Sequence, residues 1–199
     1  ADGTVSNLNP PQKLDQTNQD HNWCDVLDVI EKCYRQHNLQ ILVREVSEVF
    51  GPTATKYPLT AGVKWLEKTS FGGTNCSTIE LARHNPHRKR EILQPFLTLG
   101  KSTCEALSKL SPFEEPLNLI ASGGVRHSLD VARYIRFVVK MTALAQPTLS
   151  PAIEFSSAVI EEIKIVSEQL TRTMFLTGKH SLEKLKEVNL LSSPRFKQR

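Results

Sequence analysis

Short apolar runs of strand length recur along this chain, and each is followed by a stretch with helical spacing. QILVREV (40–46) is the clearest. Its near-continuous apolar character suits a strand covered on both faces, as in a parallel sheet. GVKWLEKT (62–69), LNLIAS (117–122) and VVKMTALA (138–145) repeat the pattern, and GTVSNLN near the start is a weaker instance. Between them the spacing predicts helices over 23–37, from Ser77, over 100–111 and over 128–137. A long amphipathic helix over 152–176 and a short one over 181–189 follow. GPTATKYPLTA, broken by two prolines, holds at best one helical turn. Strand–helix alternation repeated about five times predicts an α/β fold with a parallel sheet. An open doubly wound sheet and a (β/α)₈ TIM barrel both satisfy it. About five units in 199 residues fall short of a closed barrel, which takes ~250 residues.

Composition acts mainly by exclusion. Hydrophobic residues make up 39% and charged ones 23%, so residues 1–199 read as one ordinary globular domain. No run approaches the ~18 apolar residues of a membrane span. ADGTVSNLNPPQ lacks the charged and apolar regions of a secretory leader, and the absence of Met predicts a processed chain or part of a longer one. The net charge of +4 sits largely in RHNPHRKR (83–90) and PRFKQR (194–199), read as solvated loop and tail. Neither resembles a nucleic-acid motif, so no DNA or RNA partner is expected. Cys24, Cys33, Cys76 and Cys104 form no CxxC pair and suit reduced thiols in a cytoplasmic protein rather than a zinc site.

Two glycine pairs carry the chemistry. Ser122-Gly123-Gly124-Val125-Arg126 follows a strand and opens a helix, where unpaired N–H groups and the helix dipole favour an anion. Glycine lets the backbone approach closely, and Arg126 adds charge. A plain strand–helix turn explains the same residues. Phe71-Gly72-Gly73-Thr74-Asn75 follows another strand. Loops after different strands of one parallel sheet converge on the face where its ligands bind. Beside these, Glu45 at a strand end is open between an acid–base and a structural role. His127 is the one histidine next to a candidate anion site. Trp23, Trp65, Met174 and Phe175 are expected in the core, with Glu161, Glu162 and Lys164 in solvent.

SFGGTN (70–75), LGKST (99–103) and IASGGVRHSLDVARYI (120–135), in that order, resemble the FMN-dependent, type 2 isopentenyl-diphosphate isomerases. LNPPQK (8–13) is similar to their substrate-loop signature HxNxxQE, and LVREV (42–46) to a strand ending Lys-Glu-Val-Gly. QLTRTMFLTGKHSLEKLKEVNLL (169–191) is similar to their C-terminal helices. The resemblance spans essentially the whole chain but only the C-terminal half to two-thirds of the family's (β/α)₈ barrel.

It implies FMN at the C-terminal mouth of the barrel. Gly123, Gly124, Val125 and Arg126 would line its phosphate, with Ala145 and Gln146 on the other side. Thr69 and Thr74 would touch the flavin or its ribityl chain, and Arg44 stands where the family's flavin-contacting lysine does. Gln12, the implied catalytic residue, would face the substrate. The implied reaction interconverts isopentenyl and dimethylallyl diphosphate in isoprenoid biosynthesis, with reduced FMN as acid and base. NADPH would reduce the flavin and Mg²⁺ would bind the diphosphate. A homo-oligomer is expected, because part of a barrel exposes strand edges and apolar faces.

The chain departs from the family pattern at several places. Lys13 replaces the metal-binding glutamate, and lysine cannot coordinate Mg²⁺. Asn7 replaces a histidine, Val138 and Ala143 replace glycines, and VSEVF (46–50) replaces a Gly-rich turn. A non-catalytic flavin- or phosphate-binding paralogue is therefore the alternative. A hydroxy-acid oxidase would carry a catalytic His before an Arg pair, which this sequence lacks.

Overall fold

The computed structural model describes residues 3–8, 25–37, 40–46, 57–72, 74–83, 87–98, 100–110, 117–137 and 139–190. Five strands form one sheet: β1 (Gly3–Leu8), β2 (Gln40–Val46), β3 (Trp65–Thr69), β4 (Asn118–Ser122) and β5 (Met141–Thr142). The helices are α1 (Val26–His37), α2 (Cys76–Arg83), α3 (His87–Leu93), α4 (Thr103–Leu110), α5 (Ser128–Ile135), α6 (Gln146–Glu154), α7 (Ser156–Leu176) and α8 (Leu182–Leu185), with a 3₁₀ turn at Gln94–Thr98.

The strands lie in the order β1-β2-β3-β4-β5, every neighbouring pair parallel. That order separates the two architectures the sequence leaves open. A doubly wound sheet reverses direction at a switch point. Among the described residues this sheet never does. Right-handed crossovers added always at the same edge place every helix on one face and leave the other concave. Burial agrees. Ile41, Val43, Leu66, Leu119 and Ala121 share one core with Ile30 of α1, Leu107 and Leu110 of α4, and Val131 and Ile135 of α5. Residues of the opposite parity line the concave face. There Val5, Leu42, Trp65, Ile120 and Met141 border an open hollow of about 390 Å³ near the N-terminal strand ends. Together these features make a segment of barrel wall, its lining facing outward.

Several elements depart from expectation. The strand expected over 138–145 is confined to Met141–Thr142. Extended pairing persists on either side, Lys140 N–H donating to the Leu119 carbonyl and Ala143 N–H to that of Ala121. The segment turns into α6 at once, with Ala145 as its N-cap. The long helix expected over 152–176 starts six residues earlier and breaks at Phe155, whose backbone is extended (φ −155°, ψ 155°). Pro147 occupies the first turn of α6, where its missing N–H costs nothing. The basic run expected as loop contributes α3, because arginine and lysine are good helix formers. On α7, Val166 and Thr173 are buried while Phe175 is 83% exposed, which corrects its expected core position. It lies two residues past Thr173, rotated well off the packed stripe. Glu161 and Lys164 are in solvent as expected. Trp23, Cys24, most of the proline-broken segment and the basic tail lie outside the described residues. No helix among the described residues is long and apolar enough to cross a membrane.

Candidate functional site

Thr69 and Ser122 are partners in register, so the loops leaving β3 and β4 begin side by side. They touch through backbone. A Cβ placed on Gly72 would lie 2.0 Å from the Gly124 nitrogen and 2.2 Å from the Gly123 carbonyl carbon. A Cβ on Gly123 would lie 2.3 Å from the Ser70 carbonyl oxygen, and Gly123 and Gly124 have φ of +86° and +76°. Turn geometry and loop-on-loop packing both demand glycine here. Phe71 N–H donates to the Lys101 carbonyl, which ties the first loop to the approach to α4.

The same contact leaves polar groups unspent. Among the described residues no acceptor takes the Gly124 N–H. The Ser70 hydroxyl is buried without a hydrogen-bond partner. Two helices start at this end of the sheet, α5 after β4 and α6 after β5, and neither N-cap, His127 nor Ala145, makes a side-chain cap. In barrels of this kind the loops after the last two strands and a nearby helix N-terminus commonly hold phosphate. Part of the α5 terminus is already taken. Arg126 N–H donates to Asp130 Oδ2 at 3.2 Å, and Ser128 N–H to Gln169 Oε1 of α7 at 3.4 Å. Among the described residues, the Gly124 N–H that finds no acceptor and the uncapped α6 start fit a phosphate-bearing group.

Below the loops, on the concave face, lies a buried carboxylate. Glu67 is 4% exposed. It accepts Arg44 Nε at 2.7 Å, the Ser122 hydroxyl at 2.9 Å and the Thr69 hydroxyl at 3.2 Å. Arg44 and Glu67 are register partners on β2 and β3, so parallel pairing alone brings them together. On the helix-facing side, Glu45 and Lys68 form a fully buried ion pair. A structural role for Glu45 follows, since its carboxylate points away from the mouth.

Of the residues the resemblance singles out, the fold brings Arg44, Thr69, Gly123, Gly124, Val125, Arg126, Ala145 and Gln146 to the C-terminal ends of neighbouring strands. The Val125 side chain is buried in the core, which leaves its backbone for any contact at the loop. Thr74 is exposed beyond the first loop. Asn75 accepts from Thr78 N–H and donates to the Leu97 carbonyl, which makes it a helix cap. His127 lies 3.4 Å from Asp130 Oδ2. Gln12, Lys13 and Val138 lie outside the described residues. Sequence reasoning missed Glu67, whose signal was a lone acid within a strand run. It also missed Thr103 and Tyr134, which bond to the second loop from behind.

No family model matches the sequence. Among curated proteins, an isopentenyl-diphosphate delta-isomerase of Rickettsia bellii is 31% identical over 190 residues, 96% of this chain and 55% of the relative. One of Cronobacter sakazakii is 30% identical over the same shares. The chain is similar to isopentenyl-diphosphate delta-isomerases. It spans little more than half the length of the isomerases it matches. Among solved structures, a flavocytochrome b2 mutant with benzoylformate superposes with a TM-score of 0.61 at 18% identity, over 82% of this chain and 37% of the other. A mandelate oxidase mutant with the C4a-OH-FMN adduct gives 0.56 at 14%, over 82% and 43%. At such identities these likenesses show the fold alone. It is α/β, part of a (β/α) barrel.

Proposed function

We propose that this chain is the cofactor-holding part of an FMN-dependent, type 2 isopentenyl-diphosphate delta-isomerase, interconverting isopentenyl and dimethylallyl diphosphate in isoprenoid biosynthesis. The observation that carries the reading is the match to the isomerases along 96% of the chain. The packed glycine loops at the C-terminal strand ends support it. Reduced FMN, when bound, supplies the acid–base chemistry of the double-bond shift.

The chain's own residues bind and orient. The Gly124 N–H and the first turn of α6 at Ala145–Gln146 would hold the phosphate, with Arg126 adding charge at the rim. Arg44 keeps a cation on the concave face, its Nε held by Glu67 while the rest of the guanidinium is half exposed. Thr69, tied to the same carboxylate, would border the ribityl chain. Gln12 is assigned to the isoprenyl part of the substrate by resemblance. NADPH as reductant and Mg²⁺ as partner of the diphosphate rest on resemblance alone, and Lys13 offers no oxygen ligand for the metal. Free thiols at Cys33 and Cys104 favour the cytoplasm.

The test is flavin uptake. The protein with its complete barrel is expected to turn yellow with FMN in a saturable titration and to convert isopentenyl diphosphate once the flavin is reduced. No uptake overturns the reading. Lys13 and Ala143 favour one second reading, a non-catalytic flavin- or phosphate-binding paralogue. Bound FMN without conversion would single it out.

Self-association belongs to the same proposal. Ile153 and Phe155 beside the break between α6 and α7 are 80% and 74% exposed, and Ile160 and Ile163 in the first half of α7 are more than half exposed, apolar surface that favours association. Light scattering is expected to report a mass above the 22.4 kDa of one chain. A monodisperse monomer would contradict it.

A further inference from the structure

LGKST ends in Thr103, a residue the proposed mechanism leaves unused. It is 2% exposed, at the first position of α4. Its hydroxyl donates to the Gly123 carbonyl at 2.9 Å and lies 3.1 Å from that of Ser122. Tyr134 of α5, 7% exposed, donates its phenol to the same Gly123 carbonyl at 3.0 Å. Two hydroxyls from two helices thus occupy both acceptor sites of one loop carbonyl. Burial raises the Tyr134 pKa, which keeps the phenol a donor at neutral pH.

That carbonyl belongs to the peptide joining Gly123 to Gly124. The peptide is planar and trans, so its N–H points opposite to its C=O. With the carbonyl held toward α4 and α5, the Gly124 N–H faces away from both helices. Two successive glycines carry no side chains that could hold this plane, and isolated they would let it rotate. The hold comes from outside the loop.

We propose that Thr103 and Tyr134 are positioning residues of the anion cradle, locking the Gly123–Gly124 peptide so that its N–H meets the phosphate of the cofactor. The proposal rests on the flavin reading above. It extends the site to two side chains that touch neither flavin nor substrate.

The experiment compares FMN with riboflavin, which lacks the phosphate, by quenching of flavin fluorescence on the whole protein. Thr103→Val and Tyr134→Phe each remove one hydroxyl and keep the shape. Each is expected to weaken FMN about tenfold, the equivalent of one charge-assisted hydrogen bond, and to leave riboflavin unchanged. Thr103→Ser is expected to restore FMN binding. Equal weakening of both flavins, or unchanged FMN binding in folded variants, overturns the proposal. Inorganic phosphate, followed through the amide NMR signal of Gly124, separates the two readings. A wild type that responds to phosphate but not FMN, and loses the response on Thr103→Val, keeps the clamp and ends the flavin reading. A wild type that responds to neither ends both. Should Thr103→Val fail to fold, Tyr134→Phe carries the comparison, since its ring packing is kept.

Discussion

Gly72→Ala is expected to destabilise this protein by on the order of 3 kcal/mol or more, at the severe end for overpacking by one methyl group. The added carbon would sit 2.0 Å from the Gly124 nitrogen and 2.2 Å from the Gly123 carbonyl carbon. Both atoms are backbone, and no rotamer change relieves a clash with backbone. The loops must part instead, taking the Thr69–Ser122 end of the sheet with them. Gly178→Ala is the control. Gly178, unlike Gly72, has a positive φ, +66°, but a Cβ there meets nothing within 4 Å. Its cost is confined to backbone conformation, roughly 1 kcal/mol. Denaturant midpoints of the two variants decide the matter. A Gly72→Ala loss no larger than that of Gly178→Ala would mean that the loops are not in contact.

Lys68→Met is expected to cost about 3–5 kcal/mol, because it removes the cation paired with a carboxylate that has no exposure to water. Glu45 and Lys68 are 0% and 2% exposed by side chain and face the helices, one layer above Val43 and Leu66. Their attraction offsets a desolvation penalty that either charge alone would bear in full. Adding Glu45→Leu to Lys68→Met is therefore expected to recover most of the loss, a coupling that a double-mutant cycle reads directly. Additive losses in the double variant would show that the pair is not the unit that matters. Mutating the pair tests stability and leaves the concave face, where ligands are expected, untouched.

Much of the architecture was legible in the sequence because a buried parallel strand needs an apolar run and a helix needs a stripe. β2, β3 and β4 stand where those patterns placed them. The direction of winding was not legible, since periodicity says which residues are buried and nothing about which neighbour a strand takes. The glycine loops were visible, but their mutual contact depends on the register that sets Thr69 beside Ser122. Glu67 was invisible for the same reason: its partners Arg44 and Ser122 are 23 and 55 residues away along the chain. Thr103 stood within a motif and Tyr134 within a helix stripe, and neither pattern records a bond to a distant carbonyl. Val125 carries two signals at once. Its place between Gly124 and Arg126 suggested a ligand contact, while its side chain obeys the core.

Winding in strict order has a topological consequence. Among the described residues every strand pairs only with its neighbours in the chain, so none bridges past another. The sheet is connected like a row of links, and failure at one joint divides it into two pieces. The longest excursion between paired strands is from β3 to β4, which makes their joint the one with the most chain to lose track of. The meeting of Gly72 with Gly123 and Gly124 stands at that joint. The backbone contact that demands glycine there also rivets the two halves of the wall together.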